Sequence, residues 1–193
     1  LAVVLWSLSG PTGWLIWWME ALPAVLAVAL LALTYGRFRF TPLIYLLVWI
    51  HCAILLVGAR YTYEAVPLFD WIRDFFGQAR NNYDKLGHFA QGFTPALVAR
   101  ELLIRTSGLE RGKWMIALVI LSVLGISALY ELLEWGAAVA MGETADSFLG
   151  TQGDIWDAQK DMFFALSGSI CALTAFSRTQ DRQLVRLGVT GAD

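Results

Sequence analysis

The sequence predicts an all-α, polytopic transmembrane bundle of about six spans, with one short amphipathic helix at the membrane interface. Three observations predict it. The 193 residues are 58% hydrophobic and only 16% charged, against about 45–50% and about 25% in soluble domains; mean hydropathy is +0.58. Apolar runs near 20 residues recur along the chain, the length that crosses a bilayer as a helix. Nine Trp and six Tyr suit anchoring at two membrane surfaces. The net charge of −2, without any basic stripe, excludes nucleic-acid binding. No repeat, low-complexity tract or soluble domain interrupts the pattern, so residues 1–193 read as one integral membrane domain.

The chain opens on Leu1 rather than methionine, and "LAVVLWSL" (1–8) reads as the tail of a first span or of a signal sequence, hence as part of a longer polypeptide. "SGPTG" turns the chain into a second span, 14–34, which carries Glu20 and a kinking Pro23. Pro42 suits a helix start, and the third span runs 42–59. Within 60–85, "LFDWIRDFF" places apolar residues at helical spacing, as an amphipathic interfacial helix does. The fourth and fifth spans, 86–105 and 114–140, are joined by "RTSGLERGK". A Gly-rich loop within 141–156 then leads to the sixth, 157–176. Cys52 and Cys171, each inside an apolar run, are expected as small buried residues. His51 is expected as an interhelical hydrogen-bonder, Glu20 as a snorkelling acid, and Trp14, Trp17 and Trp18 as interface anchors.

Basic residues orient the bundle. Nine of the fourteen, Arg37, Arg39, Arg100, Arg105, Arg111, Lys113, Arg178, Arg182 and Arg186, fall on one side. Five, Arg60, Arg73, Arg80, Lys85 and Lys160, fall on the other. The first side is expected to be cytoplasmic and to hold the C-terminus, with segments 60–85 and 141–156 outside. The predicted location is a bacterial inner membrane, crossed several times.

This topology gathers three acid-bearing faces at the outer end. Asp84, His88 and Gln91 share one face of the fourth span, by spacings of four and three. Glu131 and Glu134 lie in the outer half of the fifth, and Asp154, Asp157 and Asp161 line one face of the sixth. A charge at bilayer mid-depth costs about 2.5–3.5 kcal/mol on insertion scales. Such acids persist when protonated, paired, hydrated or bound to a cation. His88 and Glu131 are therefore the candidate catalytic residues. Asp84, Glu134, Asp154, Asp157 and Asp161 are the candidate metal ligands, and Arg80 and Lys85 the candidate anion or head-group binders. A carboxylate-rich site with one imidazole suits a hard divalent cation such as Mg²⁺, Mn²⁺ or Ca²⁺, with zinc less favoured for want of further histidines. "DIWDAQKD" lacks the alternating ligand spacing of an EF-hand loop.

Long stretches of the chain resemble a known family. "GARYTYEAVPLFDWI", "RNNYDKLGHFAQGFTPALVARELLIR" and "YELLEWGAAVAMGETADSFLGTQGDIWDAQKDM" are similar to the YjdF-like bacterial inner-membrane proteins, over most of residues 12–176. The resemblance implies a polytopic inner-membrane protein and supplies no activity. A more distant one reaches the VanZ-like membrane proteins, associated with teicoplanin resistance. It rests on Asp84, Lys85, His88 and Phe89, then Glu131 with Glu134, then Asp154, Asp157 and Asp161. The chain departs from that pattern with Glu134 in place of an expected Gln and with its own "GTQGD" loop.

Three functions stay open on the sequence. One is a metal-assisted enzyme acting on a membrane lipid or lipid-linked substrate. Another is a non-catalytic subunit or assembly factor of a larger membrane complex, its cluster structural. The third, an ion or proton pathway, lacks polar residues across the inner halves of the spans.

Overall fold

The computed structural model describes residues 2–141 and 151–189. The proposed start at Leu1 and most of the Gly-rich loop, residues 142–150, lie outside the described residues, as do 190–193. Seven helices make up the described chain: α1 (Ala2–Leu8), α2 (Trp14–Thr34), α3 (Pro42–Tyr61), α4 (Pro67–Phe76), α5 (Tyr83–Thr106), α6 (Lys113–Met141) and α7 (Asp157–Arg186). Four of them, α2, α3, α6 and α7, are long and apolar enough to cross a membrane. At 24 residues α5 is about 36 Å long at 1.5 Å per residue. It is too polar to read as a span alone, since it carries Asp84, Lys85, Arg100, Glu101 and Arg105.

The position of α5 explains its polarity. It is the central helix, packed on α3, α6 and above all α7, and half of its residues are buried. Its polar residues therefore face other helices rather than lipid. The α5–α7 seam is closed to backbone distance. A Cβ built on Gly92 would lie 1.8 Å from the Ala165 carbonyl oxygen, and one on Gly168 would lie 2.1 Å from that of Phe89. With Ala96 and Ala172 also buried, the seam uses small residues to bring two membrane helices together.

The outer members lean on this pair. Among the main packing contacts, α2 sits on α3, whereas α6 sits on α5 and α7. Ser7 of α1 donates to the Leu56 carbonyl (2.7 Å) and accepts from Trp17 Nε1 (2.8 Å). Trp17, 3% exposed, is thus a core residue, while Trp14 and Trp18 remain exposed as anchors. Cys52 is buried as expected, but Cys171 faces outward.

Helix α4 has no buried residue, and Leu68, Trp71, Phe75 and Phe76 form an exposed apolar face. Asp70, Arg73 and Asp74 pair with each other on the polar side. This is an interfacial amphipathic helix. It ends at Gly77, whose φ of +62° is a left-handed cap suited to glycine. Asn81 ties it to α5, donating to the Val66 carbonyl (3.1 Å) and to Asp70 (3.0 Å).

Helix α7 runs to Arg186, ten residues beyond the predicted end of its span. Its extension closes a second polar network at the arginine-rich end. Glu101, 0% exposed, accepts from Thr41 N (3.0 Å), Thr41 Oγ1 (2.8 Å) and Arg105 (2.9 Å). Arg100 donates to Gln180 (2.9 Å) and Asp181 (2.8 Å), and Arg111 also reaches Asp181 (3.1 Å). Between the two polar ends, Phe93, Ala96, Leu97, Ala165 and Ala172 keep the middle of the bundle apolar.

Candidate functional site

The helix register carries the predicted acids to one end of the bundle, where they divide into two sets. The first is a knot of aspartates around Lys85. Its Nζ donates to Asp84 Oδ2 (3.1 Å), Asp157 Oδ1 (2.6 Å) and Asp161 Oδ1 (2.7 Å), so all three ammonium protons are used. Arg80 donates to Asp157 Oδ1 (2.5 Å) and to the Thr151 carbonyl (3.1 Å), and lies 3.6 Å from both Asp84 and Asp154. Asp154 pairs with Lys160, and hydrogen bonds from Lys160 and the Trp156 amide hold its carboxyl below the usual range. Lys85 and Arg80, candidates for an external anion, thus face carboxylates of their own chain. The Lys85 ammonium stands where a cation among Asp84, Asp157 and Asp161 would stand.

His88 joins this knot to the second set. Its Nε2 faces Asp84 Oδ1 at 3.2 Å and Asp161 Oδ1 at 3.7 Å. Its Nδ1 faces Gln91 Oε1 at 2.9 Å and Glu131 Oε1 at 3.9 Å. The Tyr130 ring meets it edge-on, with centroids 6.3 Å apart. One ligand atom each from His88, Glu131 and Glu134 lies within 4.8 Å of the others, as does one each from Asp84, His88 and Asp161. Glu131 Oε1 is buried and without a hydrogen-bond partner among the described residues.

Asp84 of the first set, with His88 and Glu134 of the second, reaches one chamber. A cavity of about 670 Å³ runs between α2, α3, α5 and α6. Leu30, Leu31, Phe38, Phe40 and Leu102 line one end; Glu20, Asp84, His88 and Glu134 line the other. Because α2 packs mainly on α3 and α6 on α5 and α7, the chamber lies between α2 and α6. Tyr63 plugs the acidic end of the floor, its ring lodged between Gly58 and Gly87. A Cβ on either glycine would come within 2.8 Å of that ring.

Sequence reasoning missed two parts of this site. Glu20 does not snorkel: it is 2% exposed, lines the chamber, and neither oxygen has a hydrogen-bond partner among the described residues. Its place one turn before Pro23 in an apolar helix was the available signal. His51, expected to bond between helices, instead lines the chamber wall, with no hydrogen bond among the described residues.

Comparison with known proteins follows the same outline. A family model described as "Predicted membrane protein (DUF2238)" matches residues 1–182. The chain is 51% identical over 179 residues to "Inner membrane protein YjdF" of Escherichia coli (strain K12), covering 92% of this chain and 85% of that protein. No solved structure matches. With a family model spanning nearly its whole length and a relative sharing half its residues, this integral membrane protein belongs to the DUF2238 family.

Proposed function

We propose that the protein is a membrane-embedded enzyme acting on a lipid or lipid-linked substrate, with the substrate's hydrocarbon chain in the chamber and its head at His88. The observation that carries this reading is the chamber itself: apolar for most of its length, bounded by the apolar helices α2 and α6, and ending at titratable side chains. The inner-membrane location named for the Escherichia coli relative is taken for this chain too. From its arginine distribution, the acidic end faces outward and the C-terminus inward. Helix α4 lies at that outer surface, its exposed apolar face suited to the membrane interface.

Hydrocarbon in the chamber and hydrocarbon in the bilayer are nearly equivalent solvents. The apolar walls therefore admit a chain without selecting it, and selectivity falls to the polar end. There Asp84 orients His88, an imidazole that can take up and return a proton. In a transfer reaction a water or hydroxyl oxygen bonds to the phosphorus or acyl carbon of the substrate. Its proton passes to His88 or Glu131, and the departing head-group oxygen takes a proton back. The aspartate knot around Lys85 positions His88 and braces α5 against α7 rather than binding substrate. That gives the knot a structural part within an enzymatic site.

Filling the chamber tests the reading. Purified wild-type protein is expected to retain a defined lipid through gentle detergent extraction, seen by native mass spectrometry, and to turn over a total lipid extract. Ala27→Trp, in the chamber wall, is expected to lose most of the retained lipid while the bundle stays folded. His88→Ala is expected to keep the lipid and lose turnover by about 10²–10⁴-fold. A wild-type protein that carries no lipid and converts none would sink the proposal.

A further inference from the structure

At the head-group end, which the proposal above assigns to substrate, the acids differ in how they are neutralised. The aspartates have Lys85, Arg80 and Lys160. The glutamates do not: both oxygens of Glu20 and Oε1 of Glu131 are buried without a hydrogen-bond partner among the described residues. No Lys or Arg lines the chamber. Burying an ionised carboxylate costs several kcal/mol unless a positive group compensates it. An anionic head group alone would add to the repulsion.

His88 supplies an independent observation. Both ring nitrogens face oxygens, Nε2 toward Asp84 and Nδ1 toward Gln91 and Glu131. A ring nitrogen facing a carboxylate needs a positive centre between them, either its own proton or a metal ion, whereas the Gln91 amide can turn to present its NH₂ group. A proton on Nε2 answers Asp84, the arrangement in which a carboxylate fixes the tautomer of a metal-binding histidine. The Nδ1 lone pair is then directed at Gln91 and Glu131. Two ligands on one ion at about 2.1 Å lie at most about 4.2 Å apart. The 3.9 Å from Nδ1 to Glu131 Oε1 meets that limit, and one ligand atom each of His88, Glu131 and Glu134 lie within 4.8 Å of one another.

We infer that His88 Nδ1, Glu131 and Glu134 bind one divalent cation at the acidic end of the chamber, with Asp84 orienting His88 from behind. One imidazole among carboxylate oxygens suits Mn²⁺, Fe²⁺ or Zn²⁺. The assignment rests on reading this end as the head-group pocket, because the ion is what lets a phosphate or carboxyl head enter a chamber lined by acids. With the ion bound, His88 and Glu131 act as its ligands and the proton-acceptor role passes to Glu20, buried on the facing helix and without a hydrogen-bond partner among the described residues.

Direct binding tests it. Purified protein is stripped with EDTA and titrated with MnCl₂, and free Mn²⁺ is followed by electron paramagnetic resonance. One saturable Mn²⁺ per chain is expected, displaced by Zn²⁺. Glu131→Gln/Glu134→Gln is expected to weaken it by at least about tenfold, and Asp84→Asn by about 10–100-fold. Asp154→Asn, an acid outside the set, is expected to leave it unchanged. Should the double variant fail to fold, the isosteric Glu134→Gln alone carries the test. Absence of saturable binding, or equal weakening by Asp154→Asn, overturns the inference. The lipid reading stands or falls separately: wild type stripped with EDTA should keep its lipid, and Ala27→Trp should keep its Mn²⁺.

Discussion

Gly92→Ala is expected to destabilise the bundle by about 3 kcal/mol or more, the upper end of overpacking effects, and to abolish recovery of monodisperse protein from detergent extracts. The added methyl would sit 1.8 Å from the Ala165 carbonyl oxygen. That atom belongs to helix backbone and cannot rotate away as a side chain would. Relief requires moving α7 off α5, which would also pull Asp157 and Asp161 from Lys85. Gly168→Ala makes the reciprocal clash with Phe89 and is expected to behave alike. Gly125→Ala, whose Cβ would meet nothing, is the control and should leave the denaturation midpoint unmoved. A normal midpoint for Gly92→Ala would mean that the seam is looser than its geometry implies.

Lys85→Met is expected to destabilise by about 3–5 kcal/mol, the range for breaking a buried charge network by removing one partner. Methionine keeps much of the apolar stem but leaves Asp84, Asp157 and Asp161 without the ammonium that holds all three. Arg80 remains on Asp157, so Asp161, 3% exposed at its side chain, loses most. Adding Asp161→Asn to Lys85→Met is therefore expected to restore part of the lost stability in a double-mutant cycle. Additive losses would show that Lys85 and Asp161 do not act as one unit. Because the network lies between α5 and α7, the same variant should also loosen His88, whose Nε2 bears on Asp84 and Asp161.

The helices were legible because their signals are local. Apolar length marks α2, α3 and α6, and Pro42, Pro67 and Gly77 mark helix ends by backbone geometry. The helical spacing of apolar residues in "LFDWIRDFF" marks α4. Gathering Asp84, His88, Glu131, Glu134, Asp157 and Asp161 at one end followed from counting crossings and reading helical spacing. The end of α7 was not legible. Past Phe176 its residues turn polar, which suggests a tail, yet Gln180 and Leu184 are buried against its neighbours. Glu101 and Arg105 at a four-residue spacing hinted at the second network, but its other members come from Thr41 and Gln180, 60 and 79 residues away from Glu101.

By itself the sequence determined an all-helical membrane protein, its helix faces, and which acids share one end, since hydrophobic length and helical period are properties of neighbouring residues. Only the tertiary structure decided how those acids divide. Whether a carboxylate meets an ammonium, as Asp157 and Asp161 meet Lys85, or faces a chamber with no partner among the described residues, as Glu20 does, depends on a few ångströms between distant segments. Electrostatic and hydrogen-bond energies change steeply over that distance, and no local pattern encodes it.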